Sequence, residues 1–126
     1  MTRIPEEDRD IIEKAIYLPM LVIVLERDRV IFEKGNFKIK QPYTNLIDET
    51  LKVVQSDLKI VKKKMREKHM KIQEIGRDTE FTNYVFIYNG YEEQHNYFNP
   101  RIRNKVNELL EYYLYRKKEK EPNLIS

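Results

Sequence analysis

The chain contains no cysteine and no tryptophan, and only three of its 126 residues are glycine. The absence of cysteine excludes disulfides, thiolate zinc sites and cysteine nucleophiles. The glycines, at positions 35, 76 and 90, form neither a phosphate-cradling loop nor a dinucleotide-binding fingerprint, and the sequence has no nucleophile-elbow motif around a serine. We therefore expect a protein that is not an enzyme and that has no cofactor.

Long apolar runs are also missing. The longest, Ala15 to Leu25, is far shorter than the roughly 20 residues that a helix needs to span a bilayer. The segment before it is rich in acidic residues, where a secretory signal would carry a basic head. The 24 basic and 21 acidic side chains nearly cancel, so the strong basic excess of a dedicated nucleic-acid binder is absent. These features predict a cytoplasmic protein with no membrane partner.

The residues that are present predict an α+β fold, mainly α, with two long N-terminal helices, a small antiparallel β-meander and a C-terminal helix. Pro5 and the acids after it suit the start of a helix over 5–34, in which Pro19 should cause a kink and after which Gly35 should adopt a left-handed conformation. A second helix is predicted over 42–68. Its apolar seam recurs at three- and four-residue steps and suits packing within the chain or against a second copy: Tyr43, Ile47, Leu51, Val54, Leu58, Val61 and Met65.

The meander is predicted within residues 69–98. Glu80 to Tyr88 is dense in aromatic and β-branched residues, and Asn89-Gly90 is a strong signal for a two-residue hairpin turn. The alternative is helical, because several apolar residues of this stretch also share a helix face. We favour strands, since Asn-Gly inside a helix is unfavourable by ~1–2 kcal/mol.

The last helix is predicted over 99–116, with Asn99 as its cap and Pro100 in its first turn. After it the apolar periodicity is lost. The expected organisation is therefore a single domain, residues 1–116, followed by a disordered tail of mixed charge, residues 117–126.

A candidate metal motif lies in the stretch YNGYEEQHNYFNP, residues 88–100. Glu92-x-x-His95 has the spacing of ligand pairs in carboxylate-bridged metal sites of helical bundles, but such sites need a second copy of the motif, which the sequence lacks. In a hairpin, Glu92 and His95 would lie on opposite faces of the strand, and only Glu93 would share a face with His95. We therefore expect a solvated strand face and no metal site.

A run of basic residues is the candidate for nucleic-acid contact. Arg101 and Arg103 form a second small cluster near the start of the last helix, and phosphates could contact both clusters if the meander brought them together. Lysines at a helix C-terminus also complement its dipole, which is the alternative interpretation. The run itself consists of Lys62, Lys63, Lys64, Arg66, Lys68 and Lys71.

Tyrosines of the second half are the candidates for an interaction surface, because tyrosine is amphipathic and frequent at interfaces. They are Tyr84, Tyr88, Tyr91 and Tyr97, and they would also be available for base stacking beside the basic residues. The alternative, about as well supported, is that they cover the outside of a thin core.

The segments RIPEEDRDIIEKAIYLPML, YNGYEE and NYFNPRIRNKVNELLEYYL resemble the YhjD family of small uncharacterised proteins from Bacillus and its relatives. The resemblance covers residues 3 to about 116. It implies a bacterial cytoplasmic protein of spore-forming Gram-positive species and suggests a link to sporulation, and it brings no catalytic residues.

The leading hypothesis is therefore a non-enzymatic interaction module, regulatory or adaptor-like, whose protein partner and pathway the sequence does not identify. A homodimer is one candidate assembly. The alternative, from another class, is a weakly specific nucleic-acid-binding regulator.

Overall fold

A computed structural model describes residues 4–115 and 121–125. The elements follow one another as α1 (Glu6–Lys34), α2 (Gln41–Glu67), β1 (Met70–Arg77), β2 (Phe81–Tyr88), β3 (Tyr91–Phe98) and α3 (Asn99–Leu114). The predicted α+β class, with two long helices, an antiparallel meander and a final helix, is confirmed. None of the helices in the described ranges combines the length and apolar character that a membrane crossing requires.

α1 and α2 form a long antiparallel hairpin. Arg29 of α1 donates to Asp48 of α2 at 2.7 Å, and at the opposite end Lys68, just after α2, lies 2.8 Å from Asp8. The predicted seam of α2 packs inside the chain, where three of its members are buried and three are partly buried. These six residues therefore contribute to this chain's own core, whereas the seventh member, Tyr43, is exposed.

α1 runs through Pro19 as one helix and ends before Gly35. Gly35 has φ −67° and ψ 161°, an extended conformation, so the predicted left-handed stop is wrong. Glycine suits this position because there is little space for a side chain: a Cβ there would lie 2.6 Å from Cε2 of Phe37. The ring of Phe37 stacks on Phe32 and packs against Tyr43, which closes the end of the hairpin with aromatic side chains.

The meander forms as predicted, and the helical alternative for this stretch is wrong. Asn89 and Gly90 have φ values of 50° and 81°, as a two-residue hairpin turn requires, and Tyr88 pairs with Tyr91 across it. The strands follow the order β1-β2-β3, and the β1–β2 register shifts between Glu74 and Gly76.

One face of the sheet packs against the helices. Tyr84 and Phe86 of β2 and Tyr97 of β3 are buried on this face, and the Arg9 guanidinium of α1 lies 5.3 Å above the Phe86 ring. The same core takes in apolar side chains from every helix, among them Ile12, Leu18 and Leu21 of α1, Val54 of α2 and Leu109 of α3. The α1 side chains that face the sheet are thus covered by it.

α3 starts directly after β3, and the predicted cap is wrong. The amide of Asn99 bonds away from the helix: its Oδ1 accepts from Thr82 Oγ1 at 2.7 Å, and its Nδ2 donates to the Asp78 carbonyl at 3.1 Å. Asn99 thereby ties the start of α3 to the turn before β2. The helix ends at Leu114, and Arg116, its predicted last residue, lies outside the described residues.

The C-terminal segment, residues 121–125, lies within the tail that the sequence predicts to be disordered. Leu124 is fully buried, and the segment lies against α1 and α3. Residues 117–120 and 126 of the predicted tail lie outside the described residues. The sequence pattern does not reveal that this segment docks. Most of its polar contacts are made by main-chain carbonyls, which are the same for every residue type.

Candidate functional site

The candidate metal residues are separated by the sheet. Glu92 pairs with Ile87 and faces away from the helices, whereas His95 pairs with Tyr84 and faces them, as the hairpin geometry predicts. Glu93 shares the face of His95, and its carboxylate lies 3.0 Å from Nε2 of His95. Within residues 4–115 and 121–125, no three side chains of the metal-binding types are grouped around a common point.

The four candidate tyrosines face the helices and do not form one exposed surface. Tyr84 and Tyr97 are buried, and their rings meet edge to face with centroids 5.5 Å apart. Tyr88 donates to Asp8 at 2.8 Å. Tyr91, beside the hairpin turn, is the exposed member of the set. The alternative interpretation, that these rings cover a thin core, therefore describes three of the four.

The eight candidate cations do not form one patch. Lys68 pairs with Asp8, whereas Arg101 donates to the Tyr17 hydroxyl at 3.0 Å. Asp8 and Tyr17 are nine residues apart on α1, about 13 Å along a helix, so the meander does not merge the two clusters. The six other cations are exposed at the surface: Lys62, Lys63, Lys64, Arg66, Lys71 and Arg103.

A buried acid that sequence reasoning missed lies at the centre of the α1–sheet contact. Glu13 is fully buried, and its Oε2 accepts a hydrogen bond from the Tyr97 hydroxyl. Arg9 Nε lies 3.9 Å from Oε2, and Arg101 Nη1 lies 3.8 Å from Oε1. Burial raises the pKa of the Glu13 carboxyl, although Tyr97 and the cations nearby act in the opposite direction.

Packing encloses the groups of this network, since Glu13, Tyr17 and Tyr97 are all buried. Burial and the Glu13 charge also raise the pKa of the Tyr97 and Tyr17 hydroxyls above the ordinary value, so both stay protonated donors at neutral pH. In the sequence, the sign of this network is a spacing of four residues: Arg9, Glu13 and Tyr17 lie on one face of α1, beside its apolar positions. Sequence alone does not say that this face is buried.

A second ion pair with a buried acid lies at the start of the same helix. Asp8 is buried and holds Lys68 at 2.8 Å, with Tyr88 as its second donor. Lys68 and Tyr88 lower the pKa of the Asp8 carboxyl against the opposing effect of burial. The C-terminus of α2 and the start of β1 are thereby fixed to the first turn of α1.

An exposed apolar surface lies at the far end of the helical hairpin. We call residues 22–54, which comprise the end of α1, the connection and the first half of α2, the distal hairpin. The most exposed of its large apolar side chains are Ile31 and Ile39, at 64% and 66%. The others are Ile23, Val30, Phe37, Tyr43 and Leu46. A concentration of exposed large apolar side chains in one part of a fold is typical of interaction sites.

The distal hairpin projects from the rest of the fold. The sheet and α3 meet α1 in its first half, through Asp8, Glu13 and Tyr17. In the distal hairpin, by contrast, the observed polar and ring contacts join α1 to α2, through Arg29 with Asp48 and Phe32 with Tyr43. Two helices alone cannot enclose all their apolar side chains, which explains why so many remain exposed here.

Three comparisons with known proteins bear on this chain. A family model described as "YhjD protein" matches residues 3–118. The "Uncharacterized protein YhjD" of Bacillus subtilis (strain 168) is 48% identical over 115 residues, which cover 91% of this chain and 96% of that protein. No solved structure matches.

Proposed function

The chain belongs to the YhjD family, and we propose that it is a non-enzymatic cytoplasmic interaction module, regulatory or adaptor-like, that forms a homodimer through its distal hairpin. The observation that carries the proposal is the exposed apolar surface of that hairpin. A role in sporulation is a further proposal, which rests on the family resemblance alone.

The charge distribution supports a second copy as the occupant of this surface. Residues 34–47, at the tip, carry three lysines and no acidic residue. The flanking stretches, residues 26–33 and 48–57, together carry six acidic and three basic residues. In an antiparallel arrangement the basic tip of each hairpin lies beside the acidic flanks of the other, so the surface is complementary to itself.

Such a dimer would complete a four-helix layer. Two antiparallel hairpins that pack face to face enclose side chains which each hairpin alone leaves in water, as in four-helix bundles. Full burial of one isoleucine contributes about 1.5–3 kcal/mol, so loss of each well-buried isoleucine should weaken the dimer about tenfold or more.

Sedimentation velocity over a concentration series tests the proposal. We expect the wild-type chain to pass from monomer to dimer as concentration rises, and Ile31→Ser/Ile39→Ser to remain monomeric with an unchanged circular dichroism spectrum. The matched control is Ile75→Ser, at an exposed isoleucine of the sheet, which should dimerise as the wild type does. A wild-type chain that stays monomeric at several hundred micromolar contradicts the proposal.

Nucleic-acid binding is the second candidate, supported by the exposed cations on the last turns of α2 and the start of β1. Because such binding releases condensed counterions, it should weaken steeply as salt rises. In a mobility-shift titration at low and moderate salt, Lys63→Glu/Arg66→Glu should abolish the shift. The control Arg27→Glu/Lys52→Glu makes the same change in charge at two exposed cations outside the candidate clusters, and it should reduce the shift less. No shift with micromolar protein at low salt would eliminate this candidate.

A further inference from the structure

The C-terminal segment, residues 121–125, occupies a groove between α1 and α3. Leu124 inserts its side chain into the core, where its exposed fraction is 0%. It belongs to the same buried cluster as Ile4 and Leu109. The groove therefore contains a pocket that one leucine fills.

Three cations hold the rest of the segment. Lys14 Nζ lies 2.8 Å from the Glu121 carboxylate, and Lys105 Nζ donates to the carbonyl of Asn123 at 2.6 Å. Arg101 Nη2 donates to two successive carbonyls, of Leu124 at 3.1 Å and of Ile125 at 2.9 Å. Only the Glu121 carboxylate and the Leu124 side chain are therefore specific to this sequence. The other contacts go to main-chain carbonyls, which any extended peptide presents.

The cations have partners of their own on the helices. Arg101 is held by the Tyr17 hydroxyl at 3.0 Å and by the buried Glu13 carboxylate, and Lys14 lies 3.1 Å from Asp10. Lys105 lies 3.7 Å from Glu108. Because these contacts do not involve residues 121–125, we expect them to keep the three cations in place when the segment leaves.

The segment is short enough to exchange. One buried leucine and a few hydrogen bonds only narrowly offset the conformational entropy lost when five residues become ordered. The segment occupies the groove chiefly because it is attached to the same chain and so has a high effective concentration there. A peptide from outside with similar or better contacts can therefore take its place.

We propose that this groove is a peptide-binding site for an extended segment of another protein in which a leucine follows an acidic residue at the third position, as Leu124 follows Glu121. The chain's own segment occupies the site in cis and acts as a competitive inhibitor of that partner. The proposal is independent of the distal hairpin, because the groove lies on the first half of α1 and on α3.

The test uses the full chain with Leu124→Asp, which releases the competitor, and a fluorescein-labelled peptide EPNLI with blocked ends as the probe. By fluorescence anisotropy, we expect this peptide to bind the variant at least tenfold more tightly than the wild type. Lys105→Met in the same background should weaken binding at least tenfold, whereas Arg103→Met, which changes an exposed cation of the same helix, should not. The peptide EPNDI should not bind.

Three outcomes overturn the proposal. The first is the absence of EPNLI binding to the Leu124→Asp chain at millimolar peptide, and the second is binding that Lys105→Met leaves unchanged. The third is a wild-type dimer that persists in Ile31→Ser/Ile39→Ser and is lost in Leu124→Asp, because the occupant would then be the segment of a second copy. If Leu124→Asp does not fold, the wild-type chain serves instead: excess EPNLI should shift the amide resonances of residues 121–125 in ¹⁵N spectra, and unchanged resonances contradict exchange.

Discussion

Tyr97→Phe is the most informative single change to the buried network. The Tyr97 hydroxyl donates to Oε2 of Glu13 and accepts from Arg9 Nη2 at 3.2 Å. Phenylalanine keeps the ring and its edge-to-face contact with Tyr84, so the change removes one hydroxyl and opens no large cavity. What is lost is the hydrogen-bond donor of a fully buried carboxylate.

The expected cost follows from the charge on Glu13. A hydrogen bond to a charged group contributes about 1.5–3 kcal/mol, and a bond between neutral groups about 1 kcal/mol. The Tyr97 hydroxyl lowers the pKa of Glu13, so its removal raises the folded-state pKa further above the ordinary value of 4.5. A carboxyl with a raised folded-state pKa loses stability as the pH rises through that range. The variant should therefore lose about 2 kcal/mol at pH 7 and about 1 kcal/mol at pH 4.

Urea unfolding at the two pH values, followed by circular dichroism, measures the difference. Tyr115→Phe is the matched control, because Tyr115 is exposed and its change should cost less than about 0.5 kcal/mol at either pH. An equal loss at pH 4 and pH 7 for Tyr97→Phe would refute the reasoning, since the hydroxyl would then not be stabilising an ionised Glu13.

Two further changes test the frame that positions this network. Asp8→Asn should cost about 1–2 kcal/mol at pH 7. Because Lys68 lowers the pKa of Asp8 from 3.8, the difference from the wild type should disappear as the pH falls below that value. Asp10→Asn, which removes a partly exposed partner of Lys14, should cost less than about 0.5 kcal/mol. Gly90→Ala should cost about 1–2 kcal/mol in thermal unfolding, because Gly90 has φ +81°. Gly76→Ala, where a Cβ meets nothing within 4 Å, should cost less, and equal losses for the two glycines would contradict this account.

The parts of the fold that could be predicted are those that local chemistry decides. Asn89-Gly90 specifies a hairpin by backbone conformation alone, and the flanking aromatic and β-branched residues have no better local option than strands. Pro5 and the acids after it likewise locate the start of α1 to within a residue. The α2 seam was recognisable by its period, although only the structure shows that α1 covers it.

The parts that were missed depend on contacts between distant residues. Asn99 looks like a cap, but Thr82 and Asp78 take up its amide. Gly35 looks like a left-handed stop, but the Phe37 ring requires its small size. Neither partner is identifiable before the fold is known.

The candidate site shows the same division. The opposite orientation of Glu92 and His95 could be predicted, because alternation along a strand is a local property. The burial of Glu13 and the docking of Leu124 could not, since both depend on how α3 and the sheet close over α1. Most of the exposed apolar residues of the distal hairpin stand outside the seam and follow no regular spacing, so only their exposure in the structure reveals them.

Chemical cross-linking tests the central claim, an antiparallel dimer of distal hairpins, most directly. The chain has no native cysteine, so single cysteines report on chosen positions without background. In the proposed dimer Lys38, at the tip, lies near the partner's Lys52, and the two tips lie far apart. A mixture of Lys38→Cys and Lys52→Cys chains, treated with a short bis-maleimide, should therefore give far more cross-linked dimer than either variant alone. Equal cross-linking in all three samples, or none in the mixture, would contradict the account.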